Sequence, residues 1–276
     1  INGRQLQWPR GKVLGGSSSL NGLLYIRGQR EDYDDWAALG NEGWSYDEIL
    51  PYFKKSENQE RGADKYHGVG GPLSVSNIRI RRELCDKFID AAEQVGIPRN
   101  DDVNGETQEG VGYFQLTINR NGTRCSTAVG FLRPALKRTN LTAATNAQVH
   151  RILFDDNRAV GLEVEIDGQL IHVGCNKEIV LSAGAINSPQ ILMLSGIGNK
   201  DELAKHNIGV VKELPGVGKN LQDHLQIRTI YKVNKPITLN DEVNNPIRKM
   251  MMGIEYALFR TGPLTMAASQ VCIFTK

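Results

Sequence analysis

The stretch KEIVLSAGAINSPQILMLSGIG, Lys177 to Gly198, joins an apolar triplet, a run of small residues and a second apolar segment. Ile179-Val180-Leu181 is a continuous apolar run of the kind that a parallel sheet buries on both faces. Ala183-Gly184-Ala185 reads as a tight turn, Ser188 as a helix N-cap, and Pro189 as the first helical residue before Ile191, Leu192 and Leu194. Strand, small-residue turn and helix start together form the unit with which α/β proteins approach a phosphate or nucleotide.

Upstream the period changes to two. Val149, Ile152 and Phe154, then Val160, Leu162, Val164 and Ile166, then Leu170, Ile171 and Val173 alternate across runs separated by Asp155-Asp156-Asn157 and Asp167-Gly168. That pattern predicts an antiparallel meander. Earlier still, Glu31 to Leu39 reads as a short helix, and Ser45 with Glu48 as a capping box opening a helix bent at Pro51. Leu84, Phe88, Ala91 and Val95 predict the buried face of a helix over Arg82 to Val95, stopped by Gly96. Pro246 to Arg260 is a further helix ended by Gly262-Pro263; its Met250-Met251-Met252 run is read as core filling rather than a pocket lining.

Composition narrows the function classes. A chain of 276 residues that is 40% hydrophobic and 23% charged is globular and long enough for one large or two modest domains. Thirty-three Lys and Arg against 31 Asp and Glu leave +2, with no like-charged block to track a nucleic-acid backbone. No run of about 18 apolar residues is present to span a membrane. Cys85, Cys125, Cys175 and Cys272 lie far apart and are expected to be buried free thiols. The first residue is Ile1 rather than Met, which is read as the mark of a fragment.

Several motifs fail. Gly216-Val217-Gly218 and Gly196-Ile197-Gly198 lack the third glycine of the dinucleotide fingerprint, and neither Gly11-Lys12 nor Gly218-Lys219 continues into a P-loop. No G-x-S-x-G elbow occurs. His67, His150, His172, His206 and His224 show no zinc spacing and are read as surface or structural residues. The run Gly15-Gly16-Ser17-Ser18-Ser19 leaves two readings open on its own, a tight turn before a helix or a loop that cradles a cofactor.

Two longer patterns do hold. Gly11 to Asn21 (GKVLGGSSSLN), followed by Tyr25, Gly28 and Asp34, resembles the first signature of the glucose-methanol-choline (GMC) oxidoreductases. Gly184 to Pro189, with Ile191-Leu192 and Ser195 to Gly198, resembles the second. The blocks DYDDWAALGNEGWSYDEILPYFKKSE (Asp32 to Glu57), TRCSTAVGFLRPALKRTNL (Thr123 to Leu141) and GKNLQDH (Gly218 to His224) are similar to the same family, so the resemblance covers essentially the whole chain.

The resemblance implies an α/β fold: an FAD-binding Rossmann-like domain with an antiparallel β-meander and part of an α+β substrate domain, incomplete at both termini. Residues 1–235 would form the FAD-binding region, with 40–140 contributing helical and substrate-side insertions, and 236–276 would begin the substrate domain. It implies cofactor contacts at Val13, Gly15, Gly16, Ser18, Asn21, Gly22, Leu23 and Leu24, at Val149, whose backbone would meet the adenine, and at Ala183 and Gly184. Glycines let a backbone approach an anionic diphosphate, serine hydroxyls and peptide N–H groups can donate to it, and Asn21 can address the polar edge of a flavin. Leu20 stands where some members carry a histidine bonded covalently to FAD, so the FAD is expected to be held non-covalently. Asp223-His224 reads either as lying near the cofactor or as a satisfied loop network. The glycine-rich βαβ unit is expected upstream of Ile1 and the catalytic histidine downstream of Lys276, so no catalytic residue and no metal ligand is assigned, and the fragment by itself is expected to be inactive.

The activity implied is oxidation of an alcohol CH–OH by hydride transfer to flavin. Arg260 to Val271 (RTGPLTMAASQV) is similar to choline-dehydrogenase-like members, which points to choline or another primary alcohol, with quinone or oxygen as electron acceptor. Two alternatives stand beside it, a hydroxynitrile lyase and a non-catalytic FAD-binding member of the same family.

Overall fold

Capping side chains set where the helices begin in the computed structural model, which describes residues 2–267 and 269–275. Helix α1 (Arg30–Ala38) opens on a box in which the Gln29 N–H donates to Asp32 Oδ2 at 2.9 Å. Helix α2 (Tyr46–Ser56) opens on the predicted Ser45 and Glu48 pair and contains Pro51. Helix α3 (Glu83–Gln94) ends at Gly96, whose φ of +88° is left-handed. Helices α4 (Arg133–Ala135), α5 (Gly184–Leu194), α6 (Lys200–Lys205), α7 (Leu239–Val243) and α8 (Pro246–Phe259) follow. Asn199, Thr238 and Asn245 cap the last three through their side-chain oxygens.

The strands are short except in the meander. They are β1 (Leu24–Tyr25), β2 (Glu57–Gln59), β3 (Leu73–Asn77), β4 (Gly110–Tyr113), β5 (Gln115–Leu116), β6 (Ala147–Asp155), β7 (Arg158–Ile166), β8 (Gln169–Gly174), β9 (Ile197–Gly198), β10 (Lys212–Glu213) and β11 (Val271–Phe274). One sheet has the order β1-β5-β3-β2, in which only β3 and β2 run parallel. Antiparallel β4 and β11 form a second pair, and parallel β9 and β10 a third. The meander β6-β7-β8 is antiparallel, as its alternation predicts, and turns at Asp156 (φ +52°) and at Asp167-Gly168 (φ +52° and +76°).

Residues Thr142–Ile230 form one compact unit, and the described residues on either side of them form another. In the flanking unit Ile78, Ile89, Val111, Leu116 and Ile118 make the core, with Val111 and Leu116 fully buried. In the middle unit Ile152 and Val164 of the meander are buried, as is Ile191 of α5. Ser195 ties these two elements together: its buried hydroxyl accepts the Ile152 N–H at 2.8 Å and donates to the Ile191 carbonyl at 2.5 Å.

Five expectations change. Ile179-Val180-Leu181 is not a strand, and Val180 is 79% exposed. A buried parallel strand exists only through partner strands, and among the described residues none pairs with it. Helix α5 starts at Gly184, so Ser188 and Pro189 lie inside it rather than at its cap. The buried face of α3 is Ile89 and Ala92 with half-buried Cys85, while Phe88 and Val95 are exposed; the face one residue along meets the core. Met252 is core as expected, but Met250 and Met251 are exposed and, with Ile247, Ile254 and Leu258, form an apolar stripe that faces outward within an arc of about 100°. All four cysteines are free, but Cys85 and Cys175 are only half-buried. Ile1, Lys276 and Ala268, the last within the Arg260 to Val271 stretch, lie outside the described residues.

Replacing Ser195 tests the junction in the middle unit. Ser195→Ala leaves the buried Ile152 N–H without its acceptor, and is expected to lower stability by about 1–3 kcal/mol with an unchanged m-value in urea unfolding.

Candidate functional site

The glycine-serine run is a folded turn, held by its own hydroxyls. Gly15 and Gly16 adopt left-handed backbone at φ +89° and +54° and lead into a 3-10 turn over Gly16–Ser19. A Cβ on Gly15 would stand 2.5 Å from Ser19 Oγ, and one on Gly11 would stand 2.3 Å from the Gly16 carbonyl oxygen, so both positions require glycine. Ser17 Oγ accepts from the Gly11 N–H, Ser18 Oγ donates to the Gly15 carbonyl at 2.5 Å, and Ser19 Oγ donates to the Leu14 carbonyl at 2.9 Å. The Ser18 and Ser19 protons therefore shape the loop, whereas Ser17 shapes it as an acceptor and its hydroxyl proton, like the backbone atoms, remains for a ligand.

A neighbouring segment locks the turn. The Thr127 N–H donates to Ser18 Oγ and the Thr127 hydroxyl to the Gly15 carbonyl, while Arg124 Nη1 donates to Asn21 Oδ1 at 2.7 Å and to the Ser18 carbonyl at 3.1 Å. Burial pulls the Arg124 guanidinium below its ordinary pKa, and among the described residues no carboxylate pairs with it. Asn21 Oδ1 also accepts the Leu23 N–H. Leu23 itself stands at φ +70°, a strained conformation for a branched side chain, and its carbonyl is clamped by the Thr117 N–H and hydroxyl. Val13 and Leu20 are exposed beside this turn, and Leu24 leads into strand β1. Sequence reading found the loop but gave no role to Arg124 and Thr127, whose only signal was their place in the TRCST block.

Val149, Ala183 and Gly184 belong to the middle unit. Val149 pairs with Val164 just before a bulge in β6, and its carbonyl accepts from Gln148 Nε2 at 3.1 Å. Ala183 caps α5 and Gly184 is left-handed at φ +90°, with open space where a side chain would stand. Asp223 and His224 are exposed, and the His224 N–H donates to the Asp223 carboxylate, so no buried network forms there.

The strongest electrostatic feature escaped the sequence. Glu57, with no exposed surface, accepts from Arg27 Nη2 at 2.9 Å and from the Gly68 N–H at 3.0 Å, and contacts His67 Nδ1 at 3.0 Å. His67 Nε2 lies 2.9 Å from Asp102 Oδ2. Burial would depress the imidazole, but the hydrogen bonds with Asp102 and Glu57 outweigh it and lift His67 to about 9. Burial pushes Asp102 upward, and the bond to His67 more than reverses that, holding it below the usual carboxylate range. Asp64, His67 and Asp102 bring ligand-type atoms within 4.8 Å, yet both ring nitrogens are committed and an imidazolium has no lone pair for a metal. A cavity of about 570 Å³ adjoins the network, but Arg27, Asn104 and Gln108 on its wall are already bonded to one another or to backbone. We therefore read this region as structural, and the Gly11-to-Leu24 turn as the candidate site.

The family described as GMC oxidoreductase matches residues 1–226. Human mitochondrial choline dehydrogenase is 49% identical over 262 residues, which is 95% of this chain and 44% of that protein. Oxygen-dependent choline dehydrogenase of Photobacterium profundum is 43% identical over 100% of this chain and 49% of its own length. Among solved structures, a FAD-dependent oxidoreductase from Chaetomium thermophilum superposes with a TM-score of 0.90 at 30% identity, over 98% of this chain and 50% of that one. The chain thus spans about half the length of the curated relatives it matches.

The His67 network carries a pH dependence with a fixed sign. Because the folded-state pKa of about 9 exceeds the ordinary 6.5, its stabilisation is full below about pH 6.5 and lost as pH rises through 9. Asp102, depressed in the fold, contributes above its ordinary value of 3.8 and loses that contribution as pH falls below it. Denaturant unfolding is expected to show a stability loss on the order of 3 kcal/mol between pH 6 and 10, and His67→Gln to flatten that slope.

Proposed function

The chain belongs to the GMC oxidoreductase family, and from that premise we propose that it carries the FAD-contacting part of an enzyme that oxidises the CH–OH group of an alcohol, choline or another primary alcohol. The observation that carries this reading is the turn from Gly11 to Leu24: two left-handed glycines and a strained Leu23, with the half-buried Arg124 guanidinium bonded to the turn and no carboxylate pairing with it among the described residues. Strain kept in place by surrounding hydrogen bonds is a mark of ligand sites, and an uncompensated Arg124 suits an anionic diphosphate. This donor set fits FAD.

In this reading Gly15 and Gly16 bring backbone to the diphosphate, and Arg124 supplies positive charge while fixing Asn21. Asn21 addresses the polar edge of the flavin, with Gly22, Leu23 and Leu24 continuing along it and Val13 and Ser18 flanking the turn. Val149, Ala183 and Gly184, in the middle unit, are counted as further cofactor contacts on the strength of the family resemblance. Residues 1–235 form the cofactor region and 236–276 begin the substrate side. Leu20 has no nucleophilic atom, so the cofactor is held without a covalent bond. Bound FAD supplies the hydride acceptor for the alcohol carbon.

Three measurements bear on this. Gly15→Val, which forces a β-branched side chain to φ +89° against Ser19 and Ala128, is expected to weaken FAD binding by about tenfold or more while far-UV circular dichroism is kept. Acid precipitation of the flavin-loaded protein is expected to release all flavin to the supernatant; flavin left in the pellet refutes the non-covalent reading. Choline added anaerobically to the intact parent protein is expected to bleach the flavin, and a flavin that stays oxidised with every primary alcohol tried points instead to a lyase or a binding protein.

A further inference from the structure

Six of the eighteen aromatic residues fall between positions 33 and 53; Tyr33 and Tyr46 are buried, but Trp36, Trp44 and Tyr52 stay exposed. Tyr33 packs edge-on to Trp36 and Phe53 at 5.5 and 5.8 Å, and Trp36 to Trp44 at 5.8 Å. Tyr33, Trp44, Tyr52, Phe53 and Ile49 line an open cleft of about 550 Å³, and Trp44 and Tyr52 remain 52% and 69% exposed. Large aromatic surface left open to water around one concavity marks a binding surface.

Two features select the occupant. Residues 30–56, which hold the cleft, carry seven Asp and Glu against Arg30, Lys54 and Lys55, in a chain whose net charge is +2, so the field at this cleft still favours a cation. The same ring cluster already receives cations: the Arg27 guanidinium lies 5.0 Å from the Phe53 ring centre and Arg30 lies 4.3 Å from that of Tyr46, each neutralised by a carboxylate, Glu57 and Asp47. A primary ammonium would need several acceptors, whereas the Tyr33 hydroxyl oxygen is committed to the Gly28 N–H and the other lining rings offer faces. A methylated cation needs no acceptor and gains most from aromatic faces.

We propose that the cleft between α1 and α2 is a binding site for a quaternary or methylated ammonium cation. It uses none of the residues assigned to the cofactor, and it goes beyond the alcohol-oxidation reading without resting on it. The acidic run concentrates the cation at the cleft, and Trp44 and Tyr52 close over its methyl groups.

The test needs no flavin and no turnover, so it stands or falls apart from the proposed activity. Tetramethylammonium, which has no oxidisable hydroxyl, is titrated into the protein while its methyl proton signal is followed by saturation-transfer NMR. Saturable binding is expected, weakened about three- to tenfold by Tyr52→Ala and by Trp44→Leu, and also by the doubly neutralised Asp35→Asn, Glu42→Gln variant. Neopentyl alcohol, the neutral counterpart in shape, is expected to bind about tenfold more weakly. Tyr52 is so exposed that its removal leaves the fold intact, which circular dichroism checks. Absence of saturation, indifference to Tyr52→Ala, or equal binding of neopentyl alcohol overturns the proposal, the last in favour of a groove for apolar partners.

Discussion

A carboxylate with no exposed surface has to be paired, and Glu57 meets that demand with three parts of the chain at once. Arg27, just past β1, reaches it through a guanidinium that also bonds the Tyr25 hydroxyl and the Tyr66 carbonyl. The Gly68 N–H donates to it, and His67 bridges from it to Asp102. Leaving any of these charges buried without its partners costs several kcal/mol, so the partners have to arrive together. The end of α2, the start of the β1-β5-β3-β2 sheet and the 64–68 turn are thereby fixed in one arrangement. The stacking of Arg27 on Phe53 extends the constraint into the aromatic cluster.

The glycine-serine turn is a second rigid element, built differently. It holds no salt bridge; its shape comes from three serine hydroxyls, Thr127 and two glycines that no other residue could replace without a clash or a strained backbone. The contrast decides what each region can do. In the Glu57 network every Arg27 side-chain nitrogen and both His67 ring nitrogens already have partners, whereas the turn keeps a cation, Arg124, without a carboxylate partner among the described residues.

What was legible in the sequence follows the range of the forces concerned. Capping at Ser45 and the turns at Asp156 and Asp167-Gly168 are settled by residues three or four apart, and the structure agrees with the sequence at each. The glycine-serine turn was legible too, because glycine at Gly15 is a local necessity. The strand at Ile179 to Leu181 was not, since a strand needs partners and the triplet names none. On α3 the pattern offered two adjacent faces, and only the sheet beneath chose Ile89 over Phe88. His67, Glu57 and Asp102 are spread over 46 positions, and no spacing rule joins them. Arg124 stands 103 residues from Asn21 and was invisible for the same reason.

The outward stripe of α8 gives the methionine run a chemical meaning that its spelling hides. Met250 and Met251 present their thioethers to solvent, while Met252 is covered. An oxidant diffusing in water therefore meets the first two sulfurs before the third, and their sulfoxides would turn an apolar face polar without opening the core. Three identical letters in a row thus separate into two side chains open to an oxidant in the solvent and one that the fold shields.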